Sequence, residues 1–359
     1  MSQRVYVVGA GIIGLTTAFE LSERGVSVTL IDPAPASGAS HFAGGMLAPV
    51  AEVQYRQEPL YPLMRESAAL YPDLLERLGR VTDLPLGYHN HGTLVVAADR
   101  ADAQHLAELT EHQQAHGMEA QRLTLREARR LEPALSPALA GVVSIPSDTQ
   151  VEPRLLTAAL RDALTRRGIT FLKATVTGLS EGHLDTDRGP LDTRGAQVVL
   201  AAGLGMASIS TGLRLRPVYG DILVARSPGL LDRVVRGFVR DRPIYLIPRG
   251  ETLAIGATSR EDHRGDTPLG AVRDLLDDAC QIVPALEEAG LVEWGTGARP
   301  GTPDDLPYLG RISPQVVVST GYFRHGILLA ALGGLAGARL ALGEAPGFDL
   351  SACAPQRHK

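Results

Sequence analysis

The sequence predicts an α/β plus α+β fold, and three observations predict it. Residues 4–32 read as two apolar strands around a glycine-punctuated helix. Residues 215–294 alternate short strands with turn residues, the texture of a mostly antiparallel sheet. At 359 residues the chain exceeds the roughly 100–200 residues of one ordinary domain. Hydrophobic residues make up 44% and charged residues 21%, which suits a globular chain with a sizeable core and not a disordered one.

In the opening unit, Val5, Tyr6, Val7 and Val8 form the continuous apolar run of a buried parallel strand. Gly9, Gly11 and Gly14 follow, then Leu15, Ala18, Phe19 and Leu21 recur at helical spacing until Gly25 stops the helix. VSVTLID supplies the second strand and ends in Asp32, 18 residues after Gly14. GAGIIG alone is a weak signal. Placed after a strand, at a helix start and ahead of an acid closing the next strand, it is the fingerprint of a Rossmann-type dinucleotide domain. Gly9 permits the tight turn, Gly11 lets a pyrophosphate approach the backbone, and Gly14 lets the helix pack closely on the strand. The helix start at Ile12 and Ile13 offers N–H groups and partial positive charge to the diphosphate. Asp32 is placed to accept hydrogen bonds from ribose hydroxyls. The fingerprint does not separate NAD from FAD, because both contain ADP.

Further along, residues 37–51 form a long Gly/Ala/Ser-rich segment, Tyr61–Leu78 a helix and Thr93–Ala97 a strand. Residues 103–131 carry an amphipathic helix and a second short one, closed by Pro133 and Pro137. A helix over 153–167 leads through Gly168 into ITFLKATVTGL, a hairpin-like stretch and the strand AQVVLAAG at 196–203. DILVARS, RPIYLIPRG and TLAIGATS read as strands, with a helix near 271–289. The C-terminal section returns to strand at 315–321 and then to a glycine-studded helix from Gly326. The expected division is a discontinuous dinucleotide domain of residues 1–85, 140–214 and 295–359, and a substrate domain of residues 86–139 and 215–294.

Net charge is −5 with no Lys/Arg-rich block, so neither nucleic acid nor an anionic membrane is expected as partner and a small molecule is. The apolar run Gly326–Ala338 falls short of the roughly 20 residues that span a bilayer. Arg4 and the apolar stretch after it have the outline of a signal peptide. The fixed glycine spacing, Glu20 and the lack of a small-residue cleavage site speak against that. Cys280 and Cys353 lie far apart without CxxC or metal-ligand spacing and read as inert thiols of a reducing, cytoplasmic compartment. His89 and His91, beside Asn90 and Gly92, read as a turn and not a zinc site, so no metal is expected.

SGASHFAGGML (37–47), AQVVLAAG, GARPGTPDDLPYLGR (297–311) and GYFRHGILLA (321–330) resemble the flavin and substrate segments of the D-amino-acid oxidase superfamily. AGGMLAPVAE, VEP (151–153), IYLIPRG and IGATS are similar within it to the glycine oxidase family of the bacterial thiamine pathway, and also to cyanide-forming glycine dehydrogenases. The resemblance implies FAD, held non-covalently because neither cysteine matches a tethering position. It places Pro33, Ser40, Gly44, Gly45, Met46, Val176, Ala202, Gly203, His325, Gly326 and Ile327 at the cofactor beside the fingerprint residues.

The resemblance also implies that Arg299 clamps a substrate carboxylate, which a planar guanidinium can grip in bidentate fashion where lysine cannot. Tyr245 would donate to the same carboxylate, Arg324 would sit at the active-site rim, and Met46 and Glu52 would face the substrate cavity. Each has a plainer reading: Tyr245 as a core strand tyrosine, Arg324 as a solvated surface arginine, Met46 as core filling and His325 as a loop histidine. A helix from Gly326 would aim N–H groups at the flavin pyrimidine, where negative charge collects on reduction. The sequence departs from the family pattern at Gly205, where an aromatic usually follows AAG, at Tyr219, where lysine is frequent, and at Ser259, where methionine often follows GAT.

The activity implied is oxidative deamination of glycine or another small amino acid. Hydride passes to the flavin, the imino acid hydrolyses to a keto acid and ammonia, and oxygen is reduced to hydrogen peroxide. The alternatives are an FAD-dependent amino-acid dehydrogenase with a quinone or protein acceptor, and a non-catalytic dinucleotide-binding module. Homo-oligomerisation is left open.

Overall fold

The computed structural model describes residues 3–209 and 211–358. A six-stranded sheet has the order Tyr308–Ser313, Val316–Thr320, Gln197–Leu200, Arg4–Val8, Ser27–Ile31, Thr170–Leu172. It is parallel except at the Tyr308–Ser313 edge. Arg4–Val8 lies in its interior, which explains its uninterrupted apolar run: Val5, Val7 and Val8 are all buried. Helices Ile12–Glu23 and Ala330–Ala341 pack together on this sheet. The glycines of the latter permit the approach, since a Cβ on Gly334 would come within 2.7 Å of Thr16 and one on Gly337 within 3.3 Å of Thr17.

The second sheet has eight strands in the order Gly290–Gly301, Arg216–Arg226, Thr252–Gly256, Arg242–Arg249, Val234–Val239, Thr93–Ala97, Gly141–Ile145, Gln121–Leu123. Only the pairing of Val234–Val239 with Thr93–Ala97 is parallel. One face is covered by helix Leu269–Ile282, whose Leu275, Ala279 and Ile282 enter a core with Leu223, Leu246, Leu253 and Ile255. On the other face Ile222, Val234, Ile247 and Ala254 pack with Phe42, Met46 and Tyr245. Small sheets of Met46–Leu47, Thr149–Val151 and Tyr88–His89, and of Val176–Ser180, His183–Thr186 and Leu191–Asp192, complete the strands. Among the described residues no helix is long and apolar enough to cross a membrane.

Several boundaries differ from expectation. Helix Arg100–Ala115 begins ahead of 103 because Asp99 caps it, accepting from the N–H groups of Ala101 and Asp102. The helix near 271–289 is Leu269–Ile282, followed at Pro284 by a 3₁₀ turn. ITFLKATVTGL is split between two sheets at Lys173–Thr175. The C-terminal helix does not start at Gly326. A 3₁₀ turn covers Phe323–His325 and the α-helix begins at Ala330, because Gly321 and Phe323, at φ 77° and 46°, turn the chain before it can wind. Strands Gly141–Ile145 and Val234–Val239 were not anticipated.

Candidate functional site

A cavity of about 620 Å³ runs from the glycine turn to the inner face of the antiparallel sheet. At its first end Gly9 has φ 99°, and a Cβ there would lie 2.5 Å from the Ala201 carbonyl oxygen. A Cβ on Gly14 would overlap the Gly9 carbonyl oxygen. On Gly11 it would meet only Ser40 Oγ at 3.3 Å, so the backbone there is open to a ligand. Ile12 N–H donates to Ser40 Oγ at 3.0 Å, which lays the 37–47 loop against the helix start. Asp32 closes the turn by accepting from the N–H groups of Ala10 and Ala34, both at 2.7 Å. Ile13, Pro33, Val176, Ala202 and Gly203 line the same half.

At the other end the side chains come from adjacent strands. Arg299 lies diagonally across Gly220: the strands pair Val218 with Arg299 and Gly220 with Gly297, and a Cβ on Gly220 would fall 2.5 Å from the Arg299 Cζ. Arg299 Nη1 donates to the Thr258 carbonyl at 3.1 Å, and burial draws its pKa down. The Tyr245 ring fills the space between Gly256 and Gly44, where added Cβ atoms would lie 2.5 Å and 3.1 Å from its Cζ. Burial raises the Tyr245 phenol, which keeps it a hydrogen-bond donor. Arg324 lines the cavity with no acceptor among the described residues.

Beneath these lies a buried charged group. Glu52 and Arg236, 6% and 5% exposed, form an ion pair, and Arg236 also donates to the Ala51 carbonyl. Burial pushes the Glu52 carboxyl up, but the guanidiniums of Arg236 and Arg324 outweigh it and hold Glu52 below the usual carboxylate range. Asp148 receives the N–H groups of Val50 and Ala51 at 3.3 and 3.0 Å, and burial pushes it up to about 7. His325 is buried with Nε2 unpartnered, and burial pulls its pKa down to about 4, so the ring is neutral at physiological pH. The N–H groups of Ile327 and Leu328 meet no acceptor among the described residues.

The cavity thus brings together Gly9, Gly11, Ile12, Ser40, Gly44, Gly45, Met46, Glu52, Tyr245, Arg299, Arg324, His325, Gly326 and Ile327, whereas Gly14 lies behind the turn against the Gly9 carbonyl and does not line it. Gly205 and Ser259 line it too. Tyr219 does not: it exchanges backbone hydrogen bonds with Arg260, whose guanidinium lies 5.8 Å from the Tyr219 ring centroid. His91 Nδ1 is bonded to the Asp232 carbonyl, outside the cavity. Sequence reasoning passed over Arg236, Asp148 and Gly220. A lone arginine in the otherwise apolar VVRGFV was the available signal for Arg236, whereas Asp148 in PSDTQ looks like an ordinary turn residue.

A glycine turn opening a mostly parallel sheet, and a cavity running from it to basic and phenolic groups on a mostly antiparallel sheet, define a dinucleotide-dependent oxidoreductase. The profile of the FAD dependent oxidoreductase family, DAO, matches residues 4–340, and the chain belongs to that family. Over 373 residues it is 36% identical to the glycine oxidase of Geobacillus kaustophilus, covering 99% of this chain and 97% of that one. It is 33% identical to a protein named as a thiamine biosynthesis oxidoreductase in Rhizobium etli, covering 91% and 93%. The crystal structure of the Geobacillus kaustophilus glycine oxidase superposes with a TM-score of 0.90 at 35% identity, covering both chains completely.

FAD is therefore the cofactor, and the residues present fit it. The turn has no room for side chains at Gly9 and Gly14, yet it is open at Gly11. At the far end the unpartnered N–H groups of Ile327 and Leu328 suit a ring system that gains negative charge.

Proposed function

We propose that the protein oxidises glycine, or another small primary or secondary amino acid, with non-covalent FAD and molecular oxygen, and that it serves thiamine biosynthesis. The observation that carries this reading is the seating of Arg299 across Gly220 beside Tyr245 in the cavity that begins at the fingerprint turn, an arrangement suited to clamping a carboxylate. The similarity to the glycine oxidase and the thiamine oxidoreductase, over 99% and 91% of this chain, supports it.

Bound FAD supplies the hydride acceptor, and oxygen restores it with formation of hydrogen peroxide. The protein orients and desolvates the substrate. Arg299 takes the carboxylate through two N–H groups and Tyr245 Oη donates to one of its oxygens. Glu52, kept ionised, accepts an N–H from the amine, and Arg324 closes the rim. Met46 and the flavin loop fix how far the Cα can move. The unpartnered N–H groups of Ile327 and Leu328 would offset negative charge that a bound flavin gains, and the neutral His325 would add none of its own. The imine product hydrolyses to a keto acid, glyoxylate in the case of glycine, and ammonia.

The same reading assigns residues 1–85, 140–214 and 295–359 mainly to FAD and residues 86–139 and 215–294 mainly to the substrate, with a cytoplasmic location. Free Cys280 and Cys353 are consistent with that location. A dehydrogenase with another electron acceptor, or a module that binds FAD without turnover, has less support, since the similarity to a glycine oxidase at 36% identity over 99% of the chain favours an oxidase. A peroxide assay across a panel of small amino acids tests the proposal. Glycine is expected among the best substrates, with activity lost in Arg299→Ala. Absence of peroxide with every amino acid, from enzyme carrying its full complement of FAD, would contradict it.

A further inference from the structure

The motif IYLIPRG contains a charged residue that the proposed reaction does not use. Arg249 lies four positions beyond Tyr245 on the same strand, so the two side chains share a face with Ile247 between them. Arg249 is half-buried with its Nε fully enclosed, burial draws its pKa down, and it makes no ion pair among the described residues, a costly state for a cation. Nη2 donates to the carbonyl oxygens of Ala43 and Gly44 at 2.9 and 2.8 Å, and Nε has no partner. The hydrogen bonds this guanidinium makes among the described residues thus both go to backbone carbonyls of the flavin loop.

Neighbouring contacts hold the same loop. Arg154 Nε donates to the His41 carbonyl at 3.1 Å, while its other nitrogens bind Glu293 at 2.8 and 2.6 Å. Phe42 rests on the glycines of the edge strand, where a Cβ on Gly297 would lie 2.7 Å from the Phe42 Cβ. Gly44 sits directly over Ile247, with 2.8 Å between an added Cβ and the Ile247 Cδ1.

A trans peptide points its N–H opposite its carbonyl. With the Ala43 and Gly44 carbonyls drawn to Arg249, the N–H groups of Gly44 and Gly45 face the other way. Both residues line the cavity, and neither N–H has an acceptor among the described residues.

We propose that Arg249 is a positioning residue for FAD: by holding the Ala43 and Gly44 carbonyls it turns the Gly44 and Gly45 N–H groups toward acceptor atoms of the bound dinucleotide. Because Arg249 and Tyr245 share a strand, the same device keeps the flavin loop in register with the substrate site.

The test is FAD titration of apoprotein, with visible spectra and thermal melts, for wild type, Arg249→Met and Arg249→Lys. Arg249→Met is expected to weaken FAD binding at least tenfold and to shift the flavin absorption bands. Arg249→Lys, whose ammonium ends one atom short of the position from which Nη2 reaches both carbonyls, is expected to fall between. A purely structural role would lower the melting temperatures of apoprotein and holoprotein alike. In that case affinity, spectrum and the FAD-induced rise in Tm would match wild type, which would overturn the proposal. Should Arg249→Met fail to fold, Arg249→Lys decides: a loss of affinity of threefold or more supports the assignment, and wild-type affinity and spectrum overturn it.

Discussion

Gly220→Ala separates the proposed substrate clamp from the fold that carries it. The new methyl would stand 2.5 Å from the Arg299 Cζ and nearer still to both terminal nitrogens. Ordinary contact requires about 3.5–4 Å, so the guanidinium must withdraw by about 1 Å or more. The atoms that yield are the far end of a flexible side chain, and the backbone pairing of Gly220 with Gly297 can stay as it is. Stability should therefore change little. Function should not be spared, because the Arg299 contact to the Thr258 carbonyl is lost and the clamp is misaimed. A charge-assisted hydrogen bond contributes about 1.5–3 kcal/mol, which corresponds to roughly ten- to a hundredfold in kcat/KM. Initial rates with glycine, monitored as peroxide, should show that loss mainly as a raised KM, while FAD affinity and Tm stay near wild type. A folded Gly220→Ala enzyme with unchanged KM would refute the claim that Gly220 exists to seat Arg299.

Gly14→Ala places a methyl on the Gly9 carbonyl, where backbone has to move; destabilisation of about 1–3 kcal/mol and a marked loss of FAD affinity are expected in denaturant melts and FAD titrations. Glu52→Gln leaves the buried Arg236 cation uncompensated and should cost about 3–5 kcal/mol in chemical denaturation, far more than an exposed glutamate would. His325 sets part of the acid limit of stability. Its folded pKa is depressed from 6.5 to about 4, so its contribution is complete above pH 6.5 and is lost as pH falls toward 4. The difference amounts to about 3 kcal/mol. His325→Asn should flatten the pH dependence of Tm over that window, whereas an unchanged slope would assign the acid limit to other groups.

How much of this was legible in the sequence depended on whether the signal was local. The fingerprint was readable because Gly9, Gly11, Gly14 and Asp32 work within one strand-turn-helix-strand unit, and the chain folds there as the spacing dictates. Thr93–Ala97 and Arg242–Arg249 carry β-rich composition and were readable for the same reason. Val234–Val239 was not, since an arginine in its middle breaks the apolar run, and the groups that make that charge tolerable, Glu52 and the Ala51 carbonyl, come from some 184 positions earlier. Gly220 carried no local signal at all, because its purpose appears only once the neighbouring strand lays Arg299 across it. The Gly326 helix start was misplaced because glycines suggest helix packing and turns equally well. Here they do both, turning at Gly321 and packing at Gly334 and Gly337.

Anaerobic mixing of the FAD-loaded enzyme with glycine tests the central claim most directly. The account predicts that stoichiometric glycine bleaches the visible flavin absorption, and that admitted air restores it with release of one hydrogen peroxide per ammonia formed. An oxidised spectrum that persists in the presence of excess glycine and of every other small amino acid would contradict it.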